Sequence, residues 1–418
     1  MQDWSDFKFP VVVYTACAYT RQPAEVPMRV LNAALLILFV AFLSSRPASP
    51  QASPALPERL SDAEFWRIFT EFSEPGGDYP YENFVTNEET IQDVMPVLTK
   101  VAKPGGVYLG VGPEQNFTYA AGVKPSMAFV FDIRRQNAIE HLMYKALFEL
   151  SPTRADFVSR LFSIKSPNKV PTTARADSLF LAIDGLTGDK AYYTENLAAI
   201  RSTLAKHNFS LNADDLKKVE YIYDVFFRAG PQIDYSFASA FPAGMAPAPN
   251  YVQAMTDTDA DKKQWSFLAT EENYQFIRGM HLRNAFIPIV GDFAGPTAIR
   301  KVAAYLKQHH ATVSAFYVSN VEVYLEGGLG PVSNRTGNPE KLQRFYDSTA
   351  ELPIDRSSLF IRFIGAGQAT NLKWWRGAWL QAVSPMMDLR QRVTAGSKPT
   401  YAQALQFIPD PKTLSSVP

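Results

Sequence analysis

Two short apolar runs, VYLGV at 107–111 and MAFVF at 127–131, constrain this chain more than any other feature. Each is bounded by turn residues, the pattern of a strand buried on both faces of a parallel sheet. Residues 112–126 between them hold a glycine turn and a short helical stretch. Parallel neighbours cannot be joined by a hairpin, so such a crossover is what their pairing requires. The scheme resumes downstream with AFIPIVGD ending in Asp292, the helical GPTAIRKVAAYLKQHH, the strand and exit ATVSAFYVSNVEVYL, and the strand SSLFIRFIG. Five strands separated by helices predict an α/β fold: a doubly wound, mostly parallel Rossmann-like sheet.

The remaining segments fall around that frame. SDAEFWRIFTEF opens with Ser61 and Glu64 at capping-box spacing, followed by Phe65, Ile68, Phe69 and Phe72 on one face. Residues 73–88 are a Pro- and Gly-broken loop rich in aromatic and polar side chains, and 90–101 read as a helix. Residues 134–150 read as an amphipathic helix, burying Ile139, Leu142, Met143, Ala146, Leu147 and Leu150 and turning Arg135, Asn137, Glu140, His141 and Lys145 away. Residues 151–280 carry no repeated strand signal and are expected to form a large helical insertion, with a start near Pro152 and a cap at Asn212. The first part of the sheet domain, with its N-terminal helices, is therefore placed at 61–150. The second part, with a C-terminal helical region that includes the aromatic stretch NLKWWRGAWLQAV, is placed at 281–418.

The longest apolar run, Val30–Leu43, spans fourteen residues, which suits a signal-peptide core and falls short of the roughly 20 needed to cross a bilayer. Residues 28–52 are accordingly expected to be a signal peptide, with Met28 as the natural start, or else a retained N-terminal anchor. Residues 1–27 are then an upstream extension or the product of a misassigned start, and 53–60 a linker. The expected location is exported (periplasmic or secreted) or membrane-tethered, with membrane contact only through this segment. The single cysteine, Cys17, lies upstream of Met28, which leaves no disulfide framework or zinc-thiolate site for the body. Forty-one basic residues balance forty-one acidic ones, so nothing supplies the basic stripe of a nucleic-acid binder. A small-molecule ligand recognised locally is the remaining expectation.

Open parallel sheets bind ligands beyond the carboxyl ends of their strands, where strand order reverses. The residues at those ends are Gly110, Gly112, Glu114 and Asn116 after the first strand, Asp132 after the second, Asp292 and Phe293 after the third, and Ser319, Asn320 and Glu322 after the fourth. The two glycines allow close backbone approach to a ligand, or simply a tight turn. Asp132, twenty residues beyond Gly112, stands where a ribose diol is accepted in dinucleotide sites. Both Asp132 and Asp292 also suit helix N-caps. The third glycine of the dinucleotide fingerprint would fall at position 115, which is Gln115, and Glu114 would repel a pyrophosphate. A ligand without phosphate fits better, such as an adenosyl compound whose sulfonium and amino groups tolerate Glu114. Glu322 is either a general base or the partner of a nearby Arg, Asn320 stands beside it at the expected reaction site, and His141 reads as polar surface. No metal site, P-loop or G-x-S-x-G elbow is present in the sequence.

The segments YLGVGPEQN, FVFDIR, PIVGDF and FYVSNVE, in that order, resemble the motifs of class I S-adenosylmethionine-dependent methyltransferases. GVGPEQNFTY, DIRRQN and YVSNVEVYL also resemble a bacterial family of unassigned activity with a methyltransferase-like Rossmann core. The resemblance implies S-adenosylmethionine as cofactor: Gly110 and Gly112 at its methionine part, Asp132 at the ribose hydroxyls, Asp292 at the adenine amine, and residues 319–322 flooring the reaction site. Tyr108 stands where these enzymes usually carry an acid. The expected function is methyltransferase-like binding of that cofactor or a related nucleoside. The alternative is a non-catalytic exported binding protein that uses the helical insertion and the aromatic loop at 79–84 for recognition.

Overall fold

Burying the apolar runs against one another sets the sheet. The computed structural model describes residues 55–165, 169–237, 248–327, 338–365 and 379–406. The N-terminal apolar run and its flanks lie outside them. Within the described residues, no helix is long and apolar enough to cross a membrane. Strand β1 (Val107–Val111) pairs in parallel with β2 (Met127–Asp132), Val107 opposite Met127 through Val111 opposite Phe131. Then β3 (Phe286–Val290) adds outside β2, and β4 (Val313–Ser319) pairs with the other side of β1. Strand β5 (Ile354–Gly365) follows in parallel, and β6 (Trp379–Pro385) closes the edge antiparallel, giving the order β3-β2-β1-β4-β5-β6. This is the expected doubly wound, mostly parallel α/β sheet, with its order reversing between β1 and β4.

Helices cover both faces, as the alternation along the strands shows. Phe129 of β2 meets Tyr305 of α11 (Ala298–Gln308), and Phe316 of β4 meets Phe345 of α13 (Pro339–Ala350). The next residue along β4, Tyr317, turns to the opposite face and packs on Tyr119 of α3 (Gln115–Val123). The N-terminal helix α1 (Asp62–Phe72) begins at Ser61, whose hydroxyl accepts the Glu64 amide; Glu64 itself turns to Arg67, so the cap is one-sided. It buries Phe65, Ile68, Phe69 and Phe72.

Four sequence expectations are corrected. Strand β6 occupies part of the aromatic stretch read as helical; it is buried on both faces along most of its length, which erases the period-two signal. Residues 371–378 of that stretch lie outside the described residues. Helix α2 starts only at Met95 and runs to Val101, because Thr90 sits in the left-handed region at φ 63° and breaks the segment. Helix α5 (Arg154–Phe162) starts past Pro152, with a capping box between Thr153 and Asp156. Finally, α4 (Arg135–Leu150) is buried nearly all round: Asn137, Glu140, His141 and Lys145 are covered, because α7 (Lys190–Lys206), α8 (Ala213–Ala229) and α10 (Glu271–Leu282) pack over the face expected to meet water. The helical segment between β2 and β3 shares one continuous apolar core with the sheet.

One polar network ties that packing to α1. His207, just past α7, places Nδ1 2.9 Å from Asp62 and Nε2 3.0 Å from Glu149, and Lys145 joins Glu149 at 2.7 Å. The Glu149 hydrogen bond, with further help from Asp62, raises the His207 pKa above its ordinary value. Burial alone would raise Asp62 and Glu149; the bonds from Asn284 and His207 to the first, and from His207 and Lys145 to the second, outweigh it and hold both carboxyls below their ordinary values. The histidine's contribution is therefore complete below the ordinary imidazole range and disappears as pH rises through its raised folded value, while the carboxylates' contribution is lost as pH falls. In urea unfolding, His207→Ala should lose more stability relative to the parent at about pH 5.5 than at about pH 8.5. Equal losses at the two pH values would mean that the imidazolium contributes nothing.

Candidate functional site

The strand tips at the reversal converge. A cavity of about 420 Å³ lies beyond the carboxyl ends of β1 to β4, lined by Gly112, Asp132, Asp292, Phe293, Ser319 and Asn320. Its far wall comes from loop 73–88 through Asp78, Tyr79, Pro80, Asn83, Asn87 and Glu88. Tyr235, from the helical insertion, and Tyr324, from α12 (Val321–Glu326), close the sides. Tyr79 packs edge-on against Tyr324 with centroids 5.7 Å apart.

Each tip owes its shape to local chemistry. Gly112 takes φ 77°, a turn that L side chains resist. Asp132 and Asp292 each spend one carboxylate oxygen on an amide two residues ahead, Arg134 and Ala294 respectively, both at 2.8 Å; neither caps a helix. The cap of α11 is supplied instead by Glu74, which accepts from the Thr297 and Ala298 amides and occupies the place where a phosphate would be drawn. Asp132 also receives Arg134 Nη2 at 3.0 Å on its other oxygen. Phe293 lies nearly parallel to Phe316, centroids 5.7 Å apart.

The structure places other expected site residues elsewhere. Gly110, Glu114, Asn116 and Glu322 do not line the cavity. A Cβ on Gly110 would stand 1.9 Å from Asn116 Oδ1, so this glycine makes room for a side chain and not for a ligand. Asn116 is fully buried: its Nδ2 faces the carbonyls of Val111, Gly112 and Pro113 within 2.7–3.1 Å, and its Oδ1 accepts from the Tyr108 hydroxyl. Glu114 turns inward and accepts the Thr86 amide at 3.1 Å; burial raises its pKa to about 8. Glu322 is buried against Arg362, at 2.6 Å and 3.1 Å, and accepts from the Tyr346 hydroxyl at 2.9 Å. It is the arginine partner that the sequence allowed, and it does not reach the cavity. His141, read as surface, is buried with Nε2 2.9 Å from the Gly112 carbonyl, and burial lowers its pKa to about 4.

Residues that sequence reasoning missed fill the gap. Glu88 lines the cavity yet is only 2% exposed, and it accepts from Ser319 Oγ, Gln381 Nε2 and the Tyr317 hydroxyl. Burial raises its pKa against those three donors. Nothing in the sequence separates it from its exposed neighbour Glu89. Ser319 holds φ 52° and Thr90 φ 63°, so strained non-glycine backbone lies on both sides of this acid, as it often does at functional sites. Gln115 donates Nε2 to Tyr317 at 3.0 Å, and Arg134 folds back over Tyr79 with its guanidinium 5.6 Å from the ring centre. Among the described residues, no group of three or more His, Cys, Asp or Glu side chains is placed to hold a metal ion.

A family model described as "Domain of unknown function (DUF7790)" matches residues 83–174 and 189–413. No curated protein matches the chain.

Two substitutions separate the framework from the cavity. Glu322→Ala strands a buried guanidinium and should cost about 3–5 kcal/mol of unfolding free energy. Gly110→Ala should cost about 1–3 kcal/mol by driving Asn116 from its turn. Denaturant unfolding measures both, and a loss below about 0.5 kcal/mol in either would remove the structural role assigned to that residue.

Proposed function

This chain belongs to the DUF7790 family, and from that premise we propose that it binds an adenosyl ligand, S-adenosylmethionine or a related nucleoside, at the carboxyl ends of β1 to β4, with methyl transfer as the reaction class. The observation that carries the reading is the convergence of Gly112, Asp132, Asp292 and Ser319 on one cavity where strand order reverses. Its volume falls within the roughly 300–1,000 Å³ typical of small-molecule sites.

The residues present suit such a group. Asp132 Oδ2, with Arg134 as its hydrogen-bond donor, has a lone pair for a ribose hydroxyl, and Asp292 has one carboxylate oxygen beyond its turn for an exocyclic amine. Phe293 offers an apolar edge beside it. Gly112 lets the backbone approach, while Glu74 at the neighbouring helix start and Glu88 at the floor disfavour phosphate. S-adenosylmethionine, when bound, supplies an electrophilic methyl group. The chain's part is to orient it through Asp132 and Asp292, to exclude water with Tyr79, Tyr235 and Tyr324, and to hold Ser319 and Asn320 at the β4 tip where an acceptor would lie. Glu322 has no share in proton transfer under this reading, because its carboxylate is sealed against Arg362.

The second reading, a binding protein without catalysis, gains from one observation: Asp132 is already bridged by Arg134. An exported body would meet little S-adenosylmethionine, so reporter fusions after residue 60 bear on which reading applies. Calorimetry of the full chain should show saturable binding of S-adenosylmethionine below about 1 mM. Asp132→Ala should weaken it at least tenfold, roughly 1.4 kcal/mol. No heat at millimolar ligand discards the nucleoside reading, and unchanged affinity in the variant discards the ribose assignment.

A further inference from the structure

The cavity is unusually rich in acceptors. Its charged lining residues are Asp78, Glu88, Asp132 and Asp292 against Arg134 and Lys341, and Arg134 is bound to Asp132. Lys341 alone is left to balance three carboxyls. The neutral groups beside Glu88 have fixed orientations. Tyr317 donates its only hydroxyl proton to Glu88, so Gln115 must present its amide nitrogen to that hydroxyl, at 3.0 Å. This fixes the orientation of the Gln115 amide and leaves Oε1 facing no donor, although the residue is only 4% exposed. Asn83 Oδ1, on the opposing loop, is likewise buried with no donor. Both amides stand about the Gly112 turn: a Cβ placed there would lie 3.5 Å from Asn83 Nδ2 and 3.5 Å from Gln115 Nε2.

A cavity lined by more carboxyls than unpaired cations favours a ligand that brings positive charge. The aromatic walls of Tyr79, Tyr235 and Tyr324 suit a cation, as Arg134 over the Tyr79 ring illustrates. We infer that the cavity selects its ligand by positive charge, and that Glu88, acting with the Tyr317–Gln115 relay, is the residue that sets the selection. The class of ligand is then a sulfonium or ammonium compound in preference to its neutral or anionic counterpart.

This inference rests on the nucleoside reading above, and the test keeps the two apart. S-adenosylmethionine and S-adenosylhomocysteine differ by one methyl group and one positive charge on sulfur. Calorimetry of the full chain with each, at equal ionic strength, should give the sulfonium at least about a tenfold lower Kd. In Glu88→Gln the ratio should fall to about threefold or less, because the substitution removes the carboxylate that a bound cation would hold ionised. Thermal melts establish that the variant folds, and the wild-type ratio stands as a test without it. Equal affinities for the two compounds in the wild type overturn the charge selection and leave the nucleoside reading in place. A ratio unmoved by Glu88→Gln in a folded variant overturns the role of Glu88. Binding of neither compound overturns both readings.

Discussion

A single buried amide holds the turn on which the rest of the site depends. Asn116 gathers the carbonyls of Val111, Gly112 and Pro113 on one nitrogen and anchors its oxygen on Tyr108. The chain leaving β1 therefore bends in one direction only, and Gly112 reaches the positive φ that opens its backbone toward the cavity. The Tyr108 hydroxyl thus serves the turn. The features that made the opening motif resemble a cofactor loop are thus divided: Gly110 and Asn116 build the turn, and Gly112 alone of the two glycines faces the cavity.

What was legible in the sequence was whatever a local rule fixes. Buried parallel strands announce themselves as apolar runs, and the tips of β1 to β4 follow directly, so Asp132, Asp292, Phe293, Ser319 and Asn320 could be named before any coordinates. Glu88 could not, because its importance comes from Ser319 and Gln381, which lie 231 and 293 residues away in sequence. Arg134 is hidden from sequence reasoning for the same reason: its place depends on Tyr79 and on the Tyr81 carbonyl, both delivered by a loop. The misreading of α4 has a different origin. Its polar face looked like surface because periodicity reports only polarity, whereas the helices inserted between β2 and β3 cover that face and satisfy Arg135 through Asp215 and Lys145 through the His281 carbonyl.

Those inserted helices and loop 73–88 do more than add bulk. An open sheet presents its ligand edge to solvent, and a ligand there would keep most of its hydration. Tyr235 from one side and Tyr79 from the other narrow the opening, and Glu74 of the same loop both caps α11 and bonds the Asp292 amide. The loop is therefore fixed to the sheet at its start through Glu74 and at its end through Thr86, whose amide bonds Glu114 and whose hydroxyl accepts the Glu88 amide. A wall held at both ends can define the cavity without a large closing motion.

The same fastening explains why the acids at the floor tolerate burial. Glu88 is held by three donors with no cation of its own, and burial raises its pKa, so a cation entering the cavity would favour its ionised form. Glu322 shows the contrast within one fold: an equally buried carboxylate, made quiet by a bidentate arginine and a tyrosine. Of the two, only the acid without a cationic partner lines the cavity. Where a fold keeps one buried carboxylate paired and leaves another facing a cavity with donors alone, the second is the one whose energy depends on what enters.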